Sequence, residues 1–202
     1  MSDLNALLAR ARACTHCAAD LPLGPRPVVR GQDTARLLIV GQAPGIRVHR
    51  SGLPWDDPSG ARLRQWLDLT PKVFYDESRV AIVPMGLCYP GENPKGGDNP
   101  PAKACAPLWQ DAFRHTFTQV RLILLIGLYA QRWHLKDPPP APTLTATVAN
   151  WAAYGPAAFP LPHPSWRNSA WIKKNPWFSN SVLPALRHRV HSALHTDHPD
   201  EP

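Results

Sequence analysis

Residues 37–45, Leu-Leu-Ile-Val-Gly-Gln-Ala-Pro-Gly, constrain the fold more than any other stretch. Four apolar residues, Leu37 to Val40, run straight into a turn of Gly41, Gln42, Ala43, Pro44 and Gly45. A short apolar run bounded by Gly and Pro reads as a buried strand ending in a loop. In open α/β sheets, ligands sit just beyond the carboxyl ends of such strands. The turn is therefore expected to form one wall of a pocket. Residues 159–168, Phe-Pro-Leu-Pro-His-Pro-Ser-Trp-Arg-Asn, also pass from an apolar segment into a proline-fixed turn, and they carry His163. These two turns are expected to face each other across one site.

The rest of the chain supplies elements for a sheet. Strands are predicted at 37–40, 79–84, 122–126 and 159–161. Helices are predicted over 3–13, with Leu4, Leu7 and Leu8 on one face, and from Ser59 as cap to Leu69, with Leu63, Trp66 and Leu67 at helical spacing. Others are expected at 103–117, 127–135 and 143–154. A last one closes the segment 177–194, with Val182, Leu183, Leu186 and Val190 as its apolar face. Residues 46–58 and 85–102 read as long loops, 138–142 as a surface spacer, and 195–202 as a frayed end. Such long ordered connections suit a chain with 25 prolines. Strands alternating with helices imply an α/β fold with a parallel sheet covered on both faces. The 202 residues suffice for one domain, with the helix and Cys segment of 1–36 packed on it. A hydrophobic content of 44% excludes a disordered chain. No apolar run approaches the roughly 20 residues of a membrane span. The N-terminus lacks the apolar core of a signal peptide. A cytoplasmic protein with no membrane partner is expected.

Charge is unevenly spread. The net charge is +7, and no Asp or Glu occurs from Pro138 to Thr196. Arg132, Arg167, Lys173, Lys174, Arg187 and Arg189 lie in or near that stretch. A basic half beside a mixed half points to a polyanion, with nucleic acid as the expected partner.

Four cysteines form two groups: Cys14 and Cys17 as C-x2-C, and Cys88 and Cys105 with sixteen residues between them. In a chain of this class, that pattern suggests a metal centre rather than disulfides. Thiolate ligation suits an iron–sulfur cluster or tetrahedral zinc. The wide second pair is unlike the two tight knuckles of a zinc ribbon.

In order along the chain, these motifs resemble the uracil-DNA glycosylase superfamily, and most of all its iron–sulfur branch, family 4. The resemblance rests on Cys14 and Cys17, then Gly41 to Gly45, then Gly52-Leu53-Pro54-Trp55 where the family has G-x-P-F. It continues through Cys88 with Pro100-Pro101, Cys105, Ile126-Gly127, and finally His163-Pro164-Ser165. It implies a three-layer α/β/α sandwich around a four-stranded parallel sheet, and a monomer. It also implies a [4Fe–4S] cluster on the four cysteines, ahead of zinc. A glycosylase flips its target base into a pocket. Trp55 would stack on that base. Gly41, Gln42, Ala43, Pro44, Gly45 and His49 would line the pocket. His163 would stabilise the anion left on the departing base. Ser165, Trp166, Arg167 and Asn168 would enter the minor groove, with Trp166 as wedge and Arg167 as groove or phosphate contact. Lys173 and Lys174 would hold the backbone.

Two positions depart from the family pattern. The first turn has Gln42 and Ala43 where relatives carry Glu or Asp, so another group must position the attacking water. Asp56, Asp57 and His49 are the nearby candidates, although Asp56 and Asp57 equally suit a helix cap. Pro84 stands where the family has an Asn that reads uracil, so base discrimination must come from elsewhere. The expected activity is monofunctional hydrolysis of the N-glycosidic bond of a deaminated base in DNA, uracil by default. The rivals are another base such as hypoxanthine or xanthine, and a catalytically weak lesion-binding protein on the same fold.

Overall fold

The computed structural model describes residues 3–195. Its centre is a four-stranded sheet of β1 (Leu37–Val40), β2 (Val80–Ile82), β3 (Leu122–Ile126) and β4 (Ala158–Leu161), in the order β2-β1-β3-β4. Every pairing is parallel: Leu37 lies opposite Val80 and Leu122, and Leu124 opposite Phe159. The connection from β1 leads to β2 on one side and that from β3 to β4 on the other, so the carboxyl ends of β1 and β3 open a crevice.

Alternation along β1 divides the core. Leu37 and Ile39 join one apolar layer, while Leu38 and Val40 join the other. One layer holds α1 (Asp3–Arg12) and α5 (Cys105–Thr116), through Leu4, Leu8, Trp109 and Phe113. The other holds α3 (Pro58–Leu67) and α9 (Leu183–His195), through Leu63, Leu67, Leu186 and Val190. This is the three-layer α/β/α sandwich expected from the sequence. The extended residues before β1 run antiparallel along the free edge of β2. The N–H groups of Arg30 and Ile82 donate to each other's carbonyls, at 3.1 and 2.8 Å. That pairing removes an exposed strand edge.

Several expected boundaries change. Residues 46–58 are not one loop, because α2 (Ile46–Ser51) forms directly after the Gly45 turn. Ser59 is not the cap of α3. Asp57 is, with its Oδ1 accepting from the Gly60 N–H at 2.7 Å and Pro58 in the first turn. Proline suits that position because its missing N–H would have no helical partner there. The segment 143–154 divides into α7 (Leu144–Ala149) and a 3-10 turn at Trp151–Tyr154. Two short helices were not anticipated, α4 (Pro71–Phe74) and α8 (Ser169–Lys174). The helix after β3 is α6 (Leu128–His134). His195 ends α9, and the remainder of the expected frayed end, 196–202, lies outside the described residues.

Candidate active site

A cleft of about 610 Å³ opens at the carboxyl ends of the strands. Residues 41–45 line it, as do His163 and residues 165–168, as the sequence led us to expect, together with Trp55, Asp57, Pro84 and the loop residues Gly96, Gly97 and Asp98. That volume lies within the ordinary range of small-molecule pockets.

Trp55 is the most constrained residue of the site. Its backbone is left-handed, with φ of 59°, which is unusual for a bulky side chain and stores strain. Its carbonyl is fixed by the Tyr75 hydroxyl at 3.2 Å and by Arg64 Nη1 at 3.4 Å. Two glycines make room for it. A Cβ at Gly41 would sit 2.9 Å from the indole, and one at Gly60 would sit 1.8 Å from the Trp55 carbonyl oxygen. The indole lies beside the His163 ring, with centroids 5.6 Å apart and planes tilted by 32°.

His163 follows β4 in a braced turn. Asn168 Nδ2 donates to its carbonyl at 2.7 Å, and Arg62 Nη1 donates to the Ser165 carbonyl at 3.0 Å. Burial pushes the imidazole below its ordinary value, and the nearby Asp57 charge partly opposes the shift. Trp166, beyond it, is 72% exposed, with the Arg167 guanidinium 5.8 Å above its ring. Lys173 and Lys174 are exposed at the end of α8, outside the cleft lining.

The other sequence candidates separate. Gln42 stays in the wall, with its Nε2 donating to the Asn99 carbonyl at 3.1 Å. His49 does not line the cleft. Helix α2 puts Val48 in the wall and turns the His49 ring toward Tyr89, with centroids 5.9 Å apart. Burial lowers the His49 pKa, with Arg26 and Arg50 adding to the effect. Asp56 is exposed and also absent from the lining, whereas Asp57 both lines the cleft and caps α3. Pro84 forms part of the wall, and its carbonyl accepts from Gln110 Nε2 at 2.8 Å. The Gln110 Oε1 in turn pairs with His134 Nε2 at 3.1 Å.

Asp98 was missed. Its loop reads Gly-Gly-Asp-Asn-Pro-Pro, a turn signal that sequence reasoning used for Cys88 and the paired prolines but not for Asp98. The residue as a whole is exposed, yet it lines the cleft. Burial, Glu92 and Asp57 raise its carboxyl pKa, against the lowering effect of Arg167.

Behind the cleft, Cys14, Cys17, Cys88 and Cys105 line one small chamber with Leu21, Leu87 and Trp109. The Leu87 N–H donates to Cys105 Sγ at 3.2 Å. Burial raises the Cys17, Cys88 and Cys105 thiols, the last to about 11, and neighbouring cysteines add to each shift. Among the described residues, no three His, Cys, Asp or Glu side chains converge closely enough to hold a single metal ion. No helix there is long and apolar enough to cross a membrane. A model of the family described as the Uracil DNA glycosylase superfamily matches residues 28–187.

Proposed function

The chain belongs to the uracil DNA glycosylase superfamily, and from that premise we propose that it is a monofunctional glycosylase that hydrolyses the N-glycosidic bond of a deaminated base in DNA. The observation that carries this reading is the pairing of His163 and Trp55 inside the cleft, with Trp166 and Arg167 at its rim. Trp166 fills the gap left by the flipped nucleotide, Arg167 holds the phosphate or groove, and Lys173 and Lys174 bind the backbone. The base enters the cleft and stacks on Trp55.

Bond cleavage leaves negative charge on the base. His163, held neutral by burial, keeps an N–H to donate to that charge as it develops, so it acts mainly on the transition state. Asp57 places a negative charge on the same cleft wall, where it favours the cationic sugar. With Pro84 offering no side-chain amide, Gln42 is the remaining amide from the first turn for reading the base edge. Uracil is the default substrate. Hypoxanthine or xanthine is the alternative, since Pro84 lacks the side-chain amide that would read uracil.

The four-cysteine chamber supports a [4Fe–4S] cluster. The donor set is all thiol and the chamber around it is lined by Leu21, Leu87 and Trp109. Cys14, Cys17, Cys88 and Cys105 would hold it, with the Leu87 N–H tuning one sulfur. It would serve structure, since hydrolysis transfers no electrons.

The test is incubation with labelled single- and double-stranded oligonucleotides carrying one uracil, hypoxanthine or xanthine. Release of one base, reduced about a hundredfold or more by His163→Ala, is the expected result. Binding without release of any of the three bases would replace this reading with that of a lesion-binding protein.

A further inference from the structure

We propose that Asp98 holds and deprotonates the attacking water, supplying from the loop after β2 the carboxylate that the turn after β1 lacks. This inference rests on the glycosylase reading and assigns the step that reading left open.

Among the residues lining the cleft, only Asp57 and Asp98 carry carboxylates. One oxygen of Asp57, Oδ1, caps α3 through the Gly60 N–H. No side-chain hydrogen bond within the described residues engages Asp98. Its Oδ2 lies 3.4 Å from the point a Gly45 Cβ would occupy, so the carboxylate comes down onto the turn that has none of its own.

The loop is built to keep it there. The Asn93 N–H donates to the Gly97 carbonyl at 2.7 Å, and the Asn99 N–H to the Gly91 carbonyl at 2.8 Å. These bonds close a hairpin in which Glu92 and Asp98 pair. Gln42 then ties the hairpin to the first turn through the Asn99 carbonyl. Gly96 and Gly97, both left-handed, bend the tip under Arg167, and a Cβ at Gly97 would lie 2.6 Å from its Nη1. Arg167 thus faces both the loop and the expected DNA. Once a phosphate draws that guanidinium away, the positive charge that suppresses proton uptake at Asp98 weakens, at the moment a base is in place.

The chemistry balances. The C1′–N bond breaks and its electron pair leaves with the base, whose anion accepts a hydrogen bond from His163. The water oxygen bonds to C1′, and its proton passes to the Asp98 carboxylate. Return of that proton from Asp98 to the base anion, through solvent, restores the carboxylate and leaves the neutral free base and a sugar hydroxyl as products.

The experiment measures single-turnover base release and DNA affinity for the wild type, Asp98→Asn, Asp98→Glu and Asp57→Asn, on the same oligonucleotide panel. The expected result is a loss of about a hundredfold or more in the release rate of Asp98→Asn, because general bases contribute about 10²–10⁴-fold. Affinity for damaged DNA should stay within about threefold, and Asp98→Glu should recover part of the rate. Wild-type release with Asp98→Asn within about threefold of it overturns the assignment while leaving the glycosylase reading intact. So does a loss confined to Asp57→Asn. No release by the wild type from any substrate removes both.

Discussion

Gly60→Ala sets two physical effects against each other. Alanine is the better helix former, and in an unobstructed helix the exchange would stabilise by about 0.5–1 kcal/mol. Here the added methyl would sit 1.8 Å from the Trp55 carbonyl oxygen, 2.6 Å from its carbonyl carbon and 2.8 Å from its Cβ. The first two are backbone atoms, and that carbonyl is pinned by Tyr75 and Arg64. No rotamer change can relieve the overlap, so either the left-handed Trp55 backbone or the start of α3 must move. Overpacking of this kind costs about 1–3 kcal/mol. Displacing the Asp57 cap costs about 1 kcal/mol more. After subtracting the propensity gain, the net destabilisation is about 1–3 kcal/mol. For a domain of this size that lowers the melting temperature by about 3–10 °C. Thermal unfolding followed by circular dichroism reads the first effect, and single-turnover base release the second. Release should fall by about tenfold or more, because Trp55 and His163 share one packed contact. A Gly60→Ala protein that melts at or above the wild-type temperature would refute the argument that the Trp55 turn dictates glycine at position 60.

Three further outcomes follow from the same geometry. Burial lowers the His134 pKa from 6.5 to about 4, so the unfolded chain takes up this proton before the folded one does. The stability linked to this group is complete above pH 6.5 and is lost as pH falls toward 4, by about 3 kcal/mol in all. Urea midpoints measured between those pH values should fall in the wild type and flatten in His134→Leu; equal slopes would refute the linkage. Anaerobically purified protein should be brown, with iron and sulfide in the ratio of a [4Fe–4S] centre, and Cys105→Ser should lose the colour and melt lower; a colourless wild type holding zinc would overturn the cluster. Replacing Lys173 and Lys174 together with Ala should make the slope of log affinity against log salt shallower by about 2 on duplex DNA, and an unchanged slope would place the backbone contact elsewhere.

The strands and the cleft were legible because local chemistry decides them. Leu37–Val40 is apolar on both faces, and a Gly-Pro turn must follow it whatever the rest of the chain does. His163 was legible for the same reason, since its turn is fixed by prolines on either side. What escaped depended on long-range closure. Ser59 and Asp57 are both good caps, and the choice fell to Asp57 through Pro58 and the packing of Trp55 on Gly60. Asp56 lies closer to Trp55 in sequence than Asp57 does, and His49 lies six residues before it. Only the direction of α2 and the left-handed turn decide that Asp57 alone reaches the cleft. Asp98 lies 53 residues beyond Gly45 in the chain, and no local pattern announces that a hairpin will fold it back over that glycine.

Three successive amides after β2 have a consequence for the cleft. The Met85 N–H bonds the Gly41 carbonyl and the Gly86 N–H the Gln42 carbonyl, each at 2.9 Å, and the next, on Leu87, bonds the Cys105 sulfur. The wall of the cleft and the cysteine chamber are therefore one peptide apart, although their residues are scattered over the sequence. Under the cluster reading, any shift of the Cys105 sulfur on metal loading would be felt one peptide away, at the amides that hold the Gly41 and Gln42 carbonyls. Base release, on that reading, would follow the state of the four thiols through the mechanics of a single segment.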